Sequence, residues 1–418
     1  MSDSAGDNRA PAFLAGCRAE ILGVLERMCR ARGLELEAVL PGGAALMERI
    51  LEYASRGKML RGSLVYLGAA LFGKAGSVGD RGIAVGASSA DGLLAGIAGL
   101  SAGVAGLSAG VAGLSAGVAE AAAAMELFQA GLLIHDDIMD RDERRRGAPS
   151  LHAAYAMEGK KLGAEDPLHL GESLAICAGD VCFFEALRAF SEVAAASAAV
   201  GGASSTASSA AAPNSSGGIH SLLALCGSEL SVVGLAQMAD CRFGELPAEP
   251  TEEAILAMYR GKTARYSFSL PFAVGAALAG RDDQRELIFA IGDLAGLAFQ
   301  LRDDEIGIFS DSETSGKVLG SDIRENKKTV WRSRLLSRVD AEERRRLLAI
   351  YGNPAIGAVE VEHVRHLSAA LGLRSEMAAW LDDLVSRAKE LVSSLEGCDE
   401  ETRALLVDLV DWLASRKY

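Results

Sequence analysis

Two stretches of this chain are apolar on every side, and each ends in aspartates. Residues 120–139 read EAAAAMELFQAGLLIHDDIM and run into Asp136, Asp137 and Asp140. Residues 287–309 read LIFAIGDLAGLAFQLRDDEIGIF and carry Asp303 and Asp304. A helix without a polar face has to be surrounded by protein. Carboxylates brought together at its end repel one another and lose water, a cost that a cation must offset. The rest of the chain has to wrap these two helices. With 50% hydrophobic and only 5% aromatic residues, it is rich in Ala, Gly and Leu and short of strand formers, and no βαβ pattern occurs. The expected class is all-α, a helical bundle around a deep central apolar cavity.

Residues four apart share a helix face, so Asp136 and Asp140 project together, with Asp137 beside Asp140 at the three-residue spacing. Hard oxygen ligands suit Mg²⁺, which binds through one or two carboxylates, waters and phosphate oxygens. A solvated acidic helix end is the competing explanation of a lone DDxxD. The apolar helix beneath the cluster argues against it, as do Arg145, Arg146 and Gly147 just beyond, because arginine forks match diphosphate oxygens. Lys317, Lys327 and Lys328 follow the second cluster in the same way. The expected geometry is two helices facing across a cavity, with metal ions bridging their acidic ends. Such a cavity suits a diphosphate head on a hydrocarbon tail.

A net charge of −14 excludes general nucleic-acid binding, which needs a basic footprint. Seven scattered cysteines and an N-terminus (MSDSAGDNRA) without a basic, then apolar, leader predict reduced thiols and a cytoplasmic protein. The uncharged run 92–119 is long enough to span a bilayer, but it is mostly Gly, Ala and Ser and lacks flanking anchors, so no stable membrane insertion is expected. It contains GLSAGVA three times in tandem, at 99–105, 106–112 and 113–119. Two glycines per heptad speak against a coiled coil. A single domain over 1–418 is expected, with low-complexity inserts at about 76–119 and 194–218. Residues 384–413 read as an amphipathic outer helix.

Between about 50 and 335 the ordered motifs resemble the trans-isoprenyl diphosphate synthases, short-chain type. Gly57-Lys58-Met59-Leu60-Arg61 is similar to the family's GKxxR, and Gln129 falls where the family has His or Gln; the resemblance implies that Lys58, Arg61 and Gln129 hold isopentenyl diphosphate. Asp136, Asp137 and Asp140 resemble the first aspartate-rich motif, Asp303 and Asp304 the second. Arg145 matches a contact to the allylic diphosphate and Arg146 one to isopentenyl diphosphate. Gly179-Asp180 resembles a family pair. Lys262 and Thr263 resemble the KT motif, Phe299-Gln300 the residues before the second acidic motif, Lys317 the GK, and Lys327 the lysine of D-x-x-x-x-K from Asp322. Lys262, Thr263 and Gln300 are thereby assigned to catalysis. The resemblance also implies three Mg²⁺ ions per active site and a homodimer.

One position departs from the pattern: Gly307 stands where the family's second motif has its third aspartate. Asp303 is expected to bind metal with Asp304 in support and activity retained; the alternative is a non-catalytic subunit of a heteromeric synthase. The implied reaction is ionisation of the allylic diphosphate, attack by the double bond of isopentenyl diphosphate, and proton loss to the departed diphosphate, with no side-chain base. His135 and His152 read as structural, Ser63 and Ser267 as packing residues. A terpene cyclase would share the fold but would not need Lys58, Arg61 and Gln129. In the family, residues four and five before the first aspartate set product length; here they are Leu132 and Gly131, with Phe128 one turn away as the cavity floor. This predicts geranylgeranyl diphosphate, with farnesyl or a longer product as the alternative, and a shorter product from Gly131→Phe.

Overall fold

Why the chain folds as helices is visible at their starts. Thr251 accepts from Ala254 N, Thr329 from Arg332 N, Asp340 from Glu342 N and Glu343 N, and Asp399 from Thr402 N, each satisfying orphan donors of a first turn. A computed structural model describes residues 9–73, 116–202, 217–309 and 320–416. In chain order these form α1 (Arg9–Val39), α2 (Gly43–Ser55), α3 (Leu60–Gly73), α4 (Ala116–Met139), α5 (Leu151–Leu162), α6 (Pro167–Gly202), α7 (Gly217–Glu245), α8 (Glu252–Tyr259), α9 (Leu270–Leu278), α10 (Arg285–Phe309), α11 (Ser321–Arg324), α12 (Val330–Arg338), α13 (Ala341–Ile350), α14 (Ala358–Ala370), α15 (Leu373–Ser393) and α16 (Glu400–Ser415). Arg144–Arg145 and Ala148–Pro149 pair as a two-stranded antiparallel hairpin, the one sheet among the described residues.

Helix α4 is the hub. It packs against α6, α3 and α1, and Ala121 to Met125, Leu127, Phe128 and Ile134 are all buried along it. Small residues let its neighbours approach: a Cβ at Gly62 of α3 would stand 2.9 Å from the Ala122 carbonyl. Helix α10 lies against the segment after α8, and Gly292 and Gly296 leave room there for Ser269 and Ala264. Helices α15 and α16 cover its other side.

Helices α8 and α9 are joined without a break by a π-helical stretch, Arg260–Ser269. Pro271 supplies the reason. It has no N–H for the preceding turn and its ring displaces the carbonyl four residues back, so Leu270 N bonds to Arg265 O, five residues back.

Two expectations change here. The amphipathic stretch 384–413 is two helices, α15 and α16, because Gly397 adopts a left-handed φ of 66° in the turn between them. The expected insert 194–218 is helical at both margins, α6 continuing to Gly202 and α7 starting at Gly217, since an Ala-rich sequence extends a helix readily. Most of the GLSAGVA repeat lies outside the described residues. Two described helices, over Gly117–Met139 and Leu222–Glu245, are long and apolar enough to cross a membrane; the first is 72% buried within the protein, as a core helix is.

The tightest seam is between α3 and α9, where a Cβ on Gly275 would run into the Val65 carbonyl and one on Gly68 into that of Phe272. Gly275→Val is expected to lower stability by about 1–3 kcal/mol, the cost of overpacking a core, read from denaturant unfolding.

Candidate active site

Helices α4 and α10 line one cavity of about 670 Å³, which Asp136 of the first acidic group enters while Asp303 and Asp304 stay outside its lining. Helix α4 lines it with Gln129, Leu132, Leu133, Asp136 and Met139, and α10 with Phe299 and Gln300. The π-helical stretch adds Lys262, Thr263, Tyr266 and Ser267, while α3 adds Arg61 and α6 adds Phe183. The body of the cavity is aliphatic and aromatic; the charges gather at its mouth.

Asp136 is the meeting point of the first acidic group. Its Oδ1 accepts from Lys262 Nζ at 3.2 Å and from Gln237 Nε2 at 2.9 Å, and its Oδ2 faces Arg145 at 3.5 Å. Lys262 also reaches Asp240 Oδ2 at 2.5 Å. Asp140 sits at the exposed rim, one turn on from Asp136. Partial burial, and then the charge of Asp136, push its carboxyl up to about 6. A divalent cation would relieve that crowding, and carboxylate oxygens are the donors magnesium takes. Among the described residues no group of three or more His, Cys, Asp or Glu side chains is gathered that could hold a metal ion.

Asp137 and Asp304 correct the sequence reading. Each follows the first aspartate of its motif by one residue, a turn of about 100° around the helix, so neither shares its partner's face. Asp137 is fully buried, accepting from Tyr53 Oη at 2.7 Å and pairing with Arg145 Nε. Asp304 is 2% exposed and accepts from Tyr259 Oη and from Gln300 Nε2 at 2.9 Å. Burial, then the neighbouring Asp322, raise the Asp304 carboxyl well above its ordinary value. Asp304 thereby holds Gln300 of the cavity wall, and Asp137 holds Arg145 beside Asp136. Asp303 stays at the surface, with Oδ1 3.1 Å from Arg416, whose guanidinium lies 3.5 Å over the Phe299 ring.

Arg145 and Arg146 part company at a two-residue turn. Arg146 and Gly147 take φ values of 52° and 78°, the left-handed pair a tight hairpin requires. Arg145 turns to the first acidic group. Arg146 turns to Gly57, where any Cβ would come within 2.9 Å of its guanidinium. There it meets Lys58 and Arg61. Burial, then the Arg416 and Arg146 charges, lower the Lys58 amine; burial lowers Arg146 too, and Arg61 adds to that. Arg61 donates to Ser267 Oγ at 2.6 Å and stacks 4.9 Å over Tyr266, while its Nε is buried without a hydrogen-bond partner. Buried Glu126 backs the group through Gly62 N at 2.8 Å. Ser267 is thus more than a packing residue.

Thr263 donates to Gln300 Oε1 at 2.8 Å, tying the π-helical stretch to α10. Lys327 lies 3.3 Å from Asp322. Lys328 is instead buried against Glu249 at 2.7 Å, and Lys317 lies outside the described residues. His152 bonds Ser150 and His135 bonds the Ile176 carbonyl at 3.1 Å, the structural parts expected of them. Sequence reasoning missed Gln237 and Asp240, though two polar residues one turn apart on apolar α7 were a signal. Nothing local marked Tyr53, Tyr259 or Arg416.

The expected floor is also displaced. Phe128 is fully buried behind Phe183 (centroids 6.4 Å apart) and stacks on Phe190 at 5.7 Å. Of this cluster of three phenylalanines, Phe183 is the one that meets the cavity, braced edge-on by His135 at 5.3 Å. It fills the notch left by Gly131, where a Cβ would stand 2.7 Å from its ring and 2.9 Å from the Gly179 carbonyl.

A family model described as polyprenyl synthetase matches residues 44–368. The chain is 30% identical to a short chain isoprenyl diphosphate synthase of Methanocaldococcus jannaschii, over 71% of this chain and 78% of that one. It is 28% identical to a geranylgeranyl diphosphate synthase of Saccharolobus solfataricus, over 65% and 70%. Among solved structures, a geranylgeranyl pyrophosphate synthase from Corynebacterium glutamicum, complexed with isoprenyl diphosphate and magnesium, shares the fold with a TM-score of 0.74 at 23% identity, covering 98% of this chain and 99% of that one.

The notch at Gly131 changes what a substitution there does. Gly131→Phe is expected to force α4 from α6 and lower the melting temperature, with stability reduced by about 1–3 kcal/mol. A shorter product at unchanged stability would contradict this packing.

Proposed function

The chain belongs to the polyprenyl synthetase family, and from that premise we propose that it extends allylic diphosphates with isopentenyl diphosphate as far as geranylgeranyl diphosphate. It is a trans-prenyltransferase, an enzyme of isoprenoid biosynthesis in a magnesium-using family. The observation that carries the two-substrate assignment is the split between neighbouring arginines. Arg145 belongs with Asp136 and Lys262, Arg146 with Lys58 and Arg61, which gives two cationic groups at one apolar cavity. A cyclase handling one diphosphate has no use for the second.

In this reading Asp136, Asp140 and Asp303 hold magnesium, three ions in all, with Asp137 and Asp304 anchoring from behind. Bound magnesium neutralises charge growing on the leaving diphosphate. Arg145, Lys262, Lys317 and Lys327 take the same diphosphate, and Lys262 exchanges its present carboxylate partners for phosphate oxygens. Lys58, Arg61, Gln129 and Arg146 hold isopentenyl diphosphate with its double bond toward the cavity. Thr263 and Gln300, hydrogen-bonded to each other, fix the wall beside the reacting carbons. The apolar lining keeps water from the allylic cation.

The reading extends to one catalytic unit over 1–418 with two inserts, working in the cytoplasm as a homodimer. Exposed apolar side chains outside the cavity support the dimer: Ile176 and Phe184 on α6 and Leu235 on α7 are 46%, 65% and 69% exposed. Labelled isopentenyl diphosphate with C5, C10 or C15 starters tests the activity, and chromatography is expected to show a C20 product that requires Mg²⁺. Only C15, or C30 and above, would overturn the product assignment. Phe183→Ala opens the cavity toward Phe128 and Phe190 and is expected to lengthen the product to C25 or beyond; an unchanged distribution would put the floor elsewhere.

A further inference from the structure

Lys327 and Lys328 are neighbours in the chain and part company in the fold. The Lys327 side chain is 48% exposed, that of Lys328 only 3%. Lys327 lies within electrostatic reach of Asp303 on α10 and of Asp142 beyond the first acidic group. Lys328 turns inward and donates to Glu249 Oε1 at 2.7 Å. The same oxygen accepts from Arg332 Nη2 at 2.6 Å, so one carboxylate carries two buried cations. The other arm of the Arg332 fork, Nη1, donates to Asn326 Oδ1 at 2.5 Å and to the Asn326 carbonyl at 3.3 Å. Asn326 is the left-handed residue, φ 59°, of the turn that the Lys327 N–H closes on the Asp322 carbonyl at 3.0 Å. The guanidinium lies 4.5 Å over the Tyr351 ring, which fixes its plane.

The helix that follows does not require this arrangement. Thr329 already caps α12, accepting from Arg332 N, and Val330 N donates to Tyr259 Oη at 3.4 Å. Apolar residues of similar volume often replace a buried ion pair without loss of stability. A planar fork, by contrast, sets two partners at a fixed angle to each other. One partner here is the turn before Lys327. The other, Glu249, stands in the loop between α7, which carries Asp240, and α8, which runs on into Lys262. From this geometry we propose that Arg332 is a positioning residue of the diphosphate site, fixing the turn at Asn326 so that Lys327 points toward the acidic groups while Lys328 stays buried. Glu249 supplies the countercharge and ties that turn to the segment leading to Lys262. This rests on the proposed reading of Lys262 and Lys327 as ligands of the allylic diphosphate.

The test is calorimetric binding of geranyl diphosphate with Mg²⁺ and no co-substrate, alongside the KM for isopentenyl diphosphate. Arg332→Lys keeps a cation opposite Glu249 but cannot span to Asn326 as well. It is expected to weaken geranyl diphosphate about tenfold, the scale on which losing an orienting partner costs a site, and to leave the KM for isopentenyl diphosphate within about twofold. Beside Lys327→Ala the same substitution is expected to cost less than about twofold, because its effect passes through Lys327. Should Arg332→Lys lose its cooperative melting transition, Asn326→Gly takes its place. Glycine accepts the left-handed φ, and cutting the contact from this side is expected to weaken geranyl diphosphate about threefold. Arg332→Lys, or Asn326→Gly in its stead, binding geranyl diphosphate like the parent would overturn the proposal. So would an equal loss for both substrates, or a full loss persisting beside Lys327→Ala. Failure of the parent to bind geranyl diphosphate, or parent-like binding by Lys327→Ala alone, would instead sink the reading of the site.

Discussion

Everything in this protein answers to the mutual repulsion of carboxylates gathered in a partly dry place. Two unit charges 4 Å apart interact by about 4 kcal/mol at an effective dielectric near 20, so aspartates cannot stand side by side without countercharge. The chain provides it from its own cations. Lys262 bridges Asp136 and Asp240, Arg145 reaches Asp136, Asp137 and Asp142, Arg416 meets Asp303, and Lys327 meets Asp322. Breaking a buried pair by removing one partner leaves an uncompensated charge. The ion pairs are a resting arrangement in which Asp136, Asp137, Asp303 and Asp322 each have a cation within reach.

The same constraint explains the helices beneath. Charges held at a cavity mouth need rigid supports, and α4 and α10 become rigid by burial on all sides. Burial on all sides requires small residues wherever another backbone crosses. Gly62, Gly131, Gly292 and Gly296 mark those crossings. Glycine at those crossings is thus a packing requirement, and Phe183, backed by Phe128 and Phe190, forms one aromatic cluster beside the cavity. The π-helical stretch belongs to the same scheme, because it carries Lys262, Thr263 and Ser267 along one side of the cavity while Pro271 keeps its turns wide.

Much of this was legible in the residues. The all-helical class followed from composition, and the two central helices from apolar stretches of helical length. Arg145 and Arg146 diverge at a turn whose Gly147 follows them in the sequence. Three readings fell short for a common reason. Asp137 and Asp304 were grouped with their neighbours because adjacent letters look like one cluster, whereas a helix turns them apart. Phe128 was chosen as floor by counting along α4, but the ring that reaches the cavity belongs to α6. Gln237 and Asp240 stood on a helix whose polar pair went unweighed.

By itself the sequence determined which segments are helices, that two of them must be buried, and that their ends carry acids in need of cations, because helical periodicity and polarity are local properties. Only the tertiary structure decided that Asp136 lines the cavity while Asp137 and Asp304 are buried, that Phe183 fills the notch at Gly131, and that Asp322 lies against Gly307. Those are matters of which atoms share a volume. Segments distant along the chain settle them by close packing, and no pattern within either segment records the outcome.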